Sequence, residues 1–324
     1  ATENEVNPFL VKSSTVKRGM DIEEKYILSK LHSTLKKVTD YMDKYMIDKI
    51  VLPVEELLLE LSRTYVQFVR DKSSLGSDAE KKVCIYTLGL VVLESLKMLY
   101  LIAPFIVEAM YLNLKQEFAS KEESISHFSW PKYDTEKINL SLEQEMEVGK
   151  EIIQSASNAR EKAKLSLRWP VSEIIVVSTN KDVESAVNNL KLILQRQLNA
   201  KSMVFKRCLE GVEQKIKPLP GKIGPAFGKL SPQIISALNL EKPDEILKQF
   251  EEKGDYQFLL GKDTITIVPE MVEMIRTVPK KFTEAEFTFG AVYVNIERTS
   301  ELDAEGYVRE IMRQVQDLRK KAGL

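Results

Sequence analysis

Residues 21–45 read DIEEKYILSKLHSTLKKVTDYMDKY, and their apolar positions decide the fold class of the first half of the chain. Ile27, Leu28, Leu31, Leu35, Val38, Tyr41, Met42 and Tyr45 recur at steps of three and four, which places them in one stripe on a helix. Asp21 is suited to cap that helix, with Glu23 and Glu24 in the first turn, where the helix dipole favours acids. The same period continues downstream. A helix is expected over residues 53–70, with Pro53 at a tolerated first-turn position, then a loop over 73–78. A third helix starts at Asp78 and runs to Ala103; Pro104 either kinks it or begins a new turn, and 105–114 continues helically. Residues 124–133, SISHFSWPKY, read as a surface loop, and another amphipathic helix is expected over 142–164. Long helices joined by short loops pack most naturally as an antiparallel bundle.

The period changes after Arg168. EIIVVS at 173–178 is a β-branched run of strand length, 182–198 is helical, and 202–206 is strand-like. The alternation continues with 212–216, helices near 233–238 and 244–252, strands near 256–260 and 264–268, a clear strand over 287–296, and an amphipathic helix over 301–321. The expected fold class is α plus α+β. A helical domain occupies residues 1–168, and a mixed α/β, ferredoxin-like domain occupies 169–324.

Composition narrows the function. The chain has 324 residues, 44% hydrophobic and 29% charged, enough for a sizeable core in two or more units. Its net charge of -1 excludes a general polycation but leaves room for a local basic face. Two cysteines, Cys84 and Cys208, cannot build a four-ligand zinc site, and two histidines, His32 and His127, leave little for histidine-based catalysis. No phosphate-binding loop, dinucleotide fingerprint or nucleophile elbow occurs. The acidic pairs Glu55-Glu56 and Glu122-Glu123 lie in charged surroundings and read as solvated helix faces. The longest uncharged stretch of the apolar region, 83–93, has 11 residues, against about 20 for a bilayer span, so a buried central helix is expected. The polar, acidic opening carries no secretory signal, and a soluble, cytoplasmic monomer is expected.

Basic clusters beside aromatics are the remaining candidates. AREKAKLSLRW at 159–169 sets Arg160, Lys162, Lys164 and Arg168 against one acid, with Trp169 following directly. Such cations can hold phosphates while an exposed indole stacks on an unpaired base, at about 1–3 kcal/mol per base. The other reading has Trp169 packed at the domain junction with the lysines merely solvated, and the sequence leaves both open. Trp130, next to Lys132 in SWPK, shares that ambiguity. QKIKPLPGKIGPAFGKL at 214–230 contains Lys215, Lys217, Lys222 and Lys229 and no acid. Its G-x-x-G at 221–224 superficially resembles a KH-domain loop, but Pro218 and Pro220 favour a rigid turn. The final helix carries Arg309, Arg313, Arg319, Lys320 and Lys321, which also suit a helix C-terminus.

Taken together, these stretches resemble the C-terminal half of isoleucyl-tRNA synthetase in its archaeal and eukaryotic form. Asp21…Tyr26-Ile27-Leu28-Ser29-Lys30-Leu31 is similar to the family's D-x-W-I-L-S-R-L helix start, with Tyr26 for Trp and Lys30 for Arg. Leu101-Ile102-Ala103-Pro104-Phe105 resembles its L-L-A-P-F element, and Ser126-His127-Phe128-Ser129-Trp130-Pro131 the segment after the bundle. Those features extend to the valine and leucine enzymes. Narrower are Ala159-Arg160…Lys162…Arg168-Trp169-Pro170-Val171, Gly224-Pro225…Phe227-Gly228-Lys229-Leu230, and the ending Glu305-Gly306-Tyr307-Val308-Arg309-Glu310…Arg313…Gln316…Arg319-Lys320, similar to E-G-x-x-R-E-x-x-R-x-x-Q-x-x-R-K.

The resemblance implies an anticodon-binding helical domain of the class I synthetase type and, as partner, the anticodon stem-loop of isoleucine tRNA. It implies no cofactor in this segment and ATP with magnesium for the parent enzyme, whose catalytic and editing domains would lie N-terminal to Ala1. The segment by itself is then expected to be non-catalytic. Phosphates would meet Arg160, Lys162, Lys164 and Arg168, bases Trp169 or Trp130, with Lys132 beside the latter and Lys215, Lys217, Lys222 and Lys229 as secondary contacts. Two rivals are the equivalent region of a valine or leucine enzyme and a protein-interaction scaffold. A complete small enzyme is a third, which the empty set of catalytic motifs disfavours.

Overall fold

The computed structural model describes residues 19–118, 121–241, 246, 249–250, 254–260 and 263–323; the side chains of 213–216, 263 and 274–277 are outside that description. The chain divides into two compact units that interleave in sequence, one of residues 1–153 with 180–198, the other of 154–179 with 199–324.

The first unit is helical. Helix α1 (Ile22–Asp43) buries Ile27, Leu28, Leu31, Leu35 and Val38 of the stripe read from sequence, and Tyr26 beside them; the Glu24 carboxylate accepts from the Asp21 N–H at 2.9 Å. Tyr45 departs from that stripe. The helix ends two residues earlier, Tyr45 takes φ 57°, and its side chain is 88% exposed. Helix α2 (Val51–Glu60) runs into a π turn at Leu61–Tyr65 and a last helical turn at Val66–Phe68. The first half of the expected loop over 73–78 belongs to helix α3 (Arg70–Leu75), into which Ser73 and Ser74 fit by donating back to the Arg70 carbonyl at 2.9 and 3.0 Å. Helix α4 (Asp78–Tyr100) starts at Asp78 as expected and is capped by Ser77. The Ser77 hydroxyl accepts from the Glu80 N–H, and the Glu80 carboxylate accepts from the Ser77 N–H at 2.7 Å. By length and composition α4 could cross a membrane. It buries Val83, Cys84, Ile85, Val91, Leu93, Leu96 and Met98. Pro104 begins a new helix, α5 (Pro104–Phe118), and α6 (Leu140–Lys162) carries the chain into the second unit. Helix α1 packs on α2 and α4, and α4 on α2, α3 and α5.

The residues expected as one helix over 182–198 form two, α7 (Lys181–Asn189) and α8 (Lys191–Leu198), because Leu190 leaves helical geometry at φ -95°, ψ 7°. They belong to the first unit, although they connect two strands of the second. Those strands, β1 (Val171–Val177) and β2 (Ala200–Lys206), pair in parallel.

In the second unit, β3 (Glu213–Pro218) is followed by α9 (Pro220–Phe227) and α10 (Ser231–Leu238). The turn expected at Pro218–Pro220 is therefore a helix start. Pro220 occupies the first helical position, and Gly221 and Gly224 lie inside α9 and not in a loop. Next come β4 (Tyr256–Leu260), β5 (Asp263–Ile267), β6 (Val272–Thr277), β7 (Phe282–Phe287), β8 (Gly290–Asn295) and α11 (Ser300–Lys321). Most of the helix expected over 244–252 lies outside the described residues.

The main sheet has the order β2-β1-β8-β7, with β8 antiparallel to both β1 and β7. Its parallel pair is adjacent, whereas the split β-α-β of a ferredoxin-like sheet separates that pair by a strand. The strand expected over 287–296 is β8, joined to the end of β7 by a hairpin turn at Thr288-Phe289. Gly290 is required there, because a Cβ on it would lie 2.1 Å from the Val177 carbonyl oxygen. The ladders β3-β6 and β4-β5 accompany a second core of Ile223, Ile234, Leu238, Ile246, Tyr256, Ile265 and Ile267. On α11 only Leu302 and Gly306 are buried, and Val308, Ile311, Met312, Val315 and Leu318 are exposed on the remainder.

Candidate nucleic-acid interface

The basic stretch 159–169 follows from how α6 ends. The helix stops at Lys162, and Lys164 enters the left-handed region at φ 54°. The reversal leaves carbonyls pointing inward, and Arg160, 1% exposed, donates through Nη2 to the Ser166 oxygen at 2.8 Å and to the Trp169 oxygen. Burial, with the charge of Arg298 second, draws its guanidinium down to about 10, so it stays protonated at neutral pH. Arg160 was expected to hold a phosphate. The fold instead uses it to tie together a chain reversal, out of reach of an external anion.

Trp169 is half-buried and packed by its own unit. The Tyr307 ring meets it edge-on with centroids 5.1 Å apart, and the Arg298 guanidinium lies 4.6 Å from its ring centroid. Arg298 is held over the indole by Asp303, which accepts from its Nε at 2.7 Å. Gly306 completes the seat, since a Cβ there would fall 2.1 Å from Cε3 of the indole. Arg168 reaches the same helix, with Nε 2.9 Å from the Glu310 carboxylate. Arg168 and Trp169 thus dock α11, and the open indole expected for base stacking is covered by a tyrosine, an arginine and a glycine backbone.

The lysines differ. Lys162 is exposed and donates to the Glu284 carbonyl at 3.0 Å, and Lys164 is exposed at the reversal. Lys217 and Lys222 are exposed with distant carboxylates, Glu273 at 3.6 Å and Glu270 at 3.9 Å, pairs of little energetic weight in solvent. Lys229 is exposed, and the Lys215 side chain is outside the described residues.

In the helical unit, Trp130 donates from Nε1 to the Thr39 hydroxyl at 3.1 Å, which pins a half-buried indole to the last turns of α1. Lys36, Lys37 and Lys44 are exposed on that end of α1, Lys132 is exposed beside Trp130, and the nearly bare Tyr45 ring follows the helix. Asp40 and Asp43 are exposed there too, so the field is mixed in sign. Tyr45 escaped the sequence reading because it fits the helical stripe; only the helix's end at Asp43 turns it outward.

The same helix shows what the residues at its start do. Tyr26 donates to Glu60 at 2.5 Å, and Ser29 donates to Glu143 at 2.5 Å. His32 accepts at Nδ1 from the Asp134 N–H at 3.2 Å. Burial and, second, the charge of Lys137 lower His32 to about 4, so it is neutral at pH 7. Asp21, Glu23 and Glu24 crowd together in a way that could suggest a metal site. Lys72 Nζ, however, lies 2.8 Å from both Asp21 and Glu24, and Arg196 lies 2.7 Å from Glu23. Two cations thus occupy the place of a divalent ion.

The chain is similar to known proteins over nearly its whole length. Residues 24–176 match the family model described as the anticodon-binding domain of tRNA ligase. Isoleucine–tRNA ligase of Methanosarcina barkeri is 35% identical over 325 residues, covering 98% of this chain and 31% of the relative. The isoleucine–tRNA ligase of Methanothrix thermoacetophila is 35% identical over 318 residues, covering 97% and 30%. That of Thermococcus kodakarensis is 33% identical over 304 residues, covering 93% and 28%. The chain thus spans about 30% of the length of these curated relatives. Through the anticodon-binding domain match at 24–176 and the extended similarity beyond it, the chain corresponds to a fragment of archaeal isoleucine–tRNA ligases.

Proposed function

We propose that this chain binds isoleucine tRNA at the anticodon stem-loop, as the non-catalytic portion of an ATP-dependent isoleucine–tRNA ligase. The observation that carries the reading is the match of residues 24–176 to an anticodon-binding domain, most of it in the first unit, where Trp130 and Tyr45 accompany exposed lysines. Lys132, Lys162 and Lys164 contact phosphates, with Lys217, Lys222, Lys229 and Lys215 as secondary contacts. Trp130 and Tyr45 offer ring faces to unstacked bases, each worth about 1–3 kcal/mol. Arg160, Arg168 and Trp169 act as positioning residues that fix the end of α6 and the last helix. The mutual packing of α1, α2 and α4, with α5 on α4, supports the antiparallel-bundle reading of the helical part, which we take functionally as residues 1–168, with 169–324 bracing the RNA. Isoleucine activation with ATP and magnesium is assigned to the part of the relatives outside the matched portion. A cytoplasmic monomer, without membrane attachment, completes the proposal.

The test is filter binding of the chain to isoleucine tRNA and to anticodon-substituted tRNA over a salt series. Log affinity should fall against log salt by roughly 0.7–0.9 per phosphate contact. Substituted anticodons should bind more weakly at every salt concentration. A flat salt profile, or one affinity for all anticodons, rejects the proposal.

A further inference from the structure

The second unit contains a cleft that the lysine clusters do not explain. It has a volume of about 520 Å³, within the roughly 300–1,000 Å³ typical of small-ligand sites. It opens where β1 and β2 end, around Ser178, Arg207 and Cys208, and its far rim is the β7–β8 hairpin tip. Loops diverge at the carboxyl ends of adjacent parallel strands, which makes this edge of an α/β sheet the usual place for a ligand crevice.

The lining is continuous with a core cluster that includes Tyr293, 3% exposed, with Leu209 and Val212 packed against it. The rim carries three groups of different chemistry. Phe289 is 43% exposed, a large aromatic face in solvent at a hairpin tip. Arg207 is exposed on the β2 side, and Glu286 is exposed at the end of β7. An aromatic face, one guanidinium and one carboxylate around one cleft match the parts of a single nucleotide. A base stacks on a ring, a phosphate takes a guanidinium, and a base's amino or imino edge donates to a carboxylate. The carboxylate also repels the phosphate and so sets the orientation.

We propose that this cleft seats one unstacked nucleotide of the bound RNA, with its base against Phe289, its phosphate on Arg207 and its base edge toward Glu286. The proposal rests on the RNA-binding reading above and adds a base-holding site to the second unit.

Cys208 provides the readout. It is an exposed free thiol in the cleft lining, whereas Cys84 is buried and its thiol is pushed up to about 12. Alkylation of the full chain is therefore followed at Cys208, without RNA, with saturating isoleucine tRNA, and separately with adenosine monophosphate. Saturating tRNA should slow the reaction several-fold. F289A should abolish that protection at saturation and weaken tRNA binding about 5- to 150-fold, the equivalent of about 1–3 kcal/mol for one stacked base. R207Q should lower the salt slope by about 0.7. Phe289 sits at an exposed hairpin tip, so F289A should keep the wild-type melting temperature, and F289W should restore protection. If tRNA binds but Cys208 reacts at its free rate, or F289A is protected like the wild type, the cleft proposal falls and the RNA-binding reading stands. If tRNA does not bind but adenosine monophosphate protects Cys208, the RNA-binding reading falls and the cleft remains a nucleotide site. If tRNA does not bind and adenosine monophosphate leaves Cys208 at its free rate, both readings fall.

Discussion

At Gly306 two opposing effects can be weighed. Replacing a helix-interior glycine with alanine ordinarily stabilises by about 1 kcal/mol, because the backbone loses less freedom on folding. Here the new Cβ would lie 2.1 Å from the Trp169 ring, and overpacking of this kind costs about 1–3 kcal/mol. Gly306→Ala should therefore lower stability in urea unfolding, and Gly306→Ala/Trp169→Leu should lose less than the sum of the single changes. A stabilised Gly306→Ala would show that Trp169 does not seat α11. His32 supports a prediction of different sign logic. Its folded pKa of about 4 lies below the ordinary value of 6.5, so between these values the unfolded chain binds a proton that the folded chain refuses. Its contribution is whole above pH 6.5, declines as pH falls toward about 4, and changes no further below that. His32→Gln keeps a side-chain acceptor for the Asp134 N–H and cannot titrate. The wild type should lose more stability than this variant between pH 7.5 and 4.5, and parallel losses would discount the buried imidazole.

Between elements, the decisive contact is the tie from α3 to the start of α1. Lys72 and Glu24 are 3% and 0% exposed at the side chain and lie 2.8 Å apart. Removing one partner of a buried pair leaves the other charge uncompensated, at a cost of about 3–5 kcal/mol, whereas replacing both by apolar groups is often near neutral. Lys72→Met should be strongly destabilising in urea, and Lys72→Met/Glu24→Leu should recover most of the loss; no recovery would mean that packing, not charge, dominates there. Elements like α1 were legible because a 3.6-residue period states both the helix and its buried face. The hairpin β7–β8 was half legible: its β-branched second strand stood out, while FTEAEF alternates too weakly to announce β7. Helix α9 is hidden in the sequence because Pro220 reads equally as a turn residue and as the first residue of a helix. The candidate site was less legible than the fold. Four cations in one short stretch look alike in sequence, yet Arg160 is buried and Lys164 is not. What separates them is the chain reversal after α6, whose carbonyls recruit the one guanidinium that faces them.

For the whole molecule, a net charge of -1 cannot by itself attract RNA, so binding must come from a local face, and the salt slope counts the contacts on it. That count separates two kinds of basic residue. Lys132, Lys162 and Lys164 are exposed, and changing all three to Gln removes contacts without disturbing the cores. If each holds a single-stranded phosphate, the slope should fall by about 2, at roughly 0.7 per contact, with little change in melting temperature. Arg160→Met should do the reverse. It leaves buried carbonyls without their donor, which costs about 1–3 kcal/mol, so melting should occur at lower temperature while the slope of the folded protein is retained. Binding is therefore measured well below the variant's melting point, where a positioning residue and a phosphate contact give opposite patterns. A wild-type slope in the triple variant would remove these lysines from the interface. A reduced slope in fully folded Arg160→Met would mean that the buried guanidinium reaches the RNA after all, against its present hydrogen bonds.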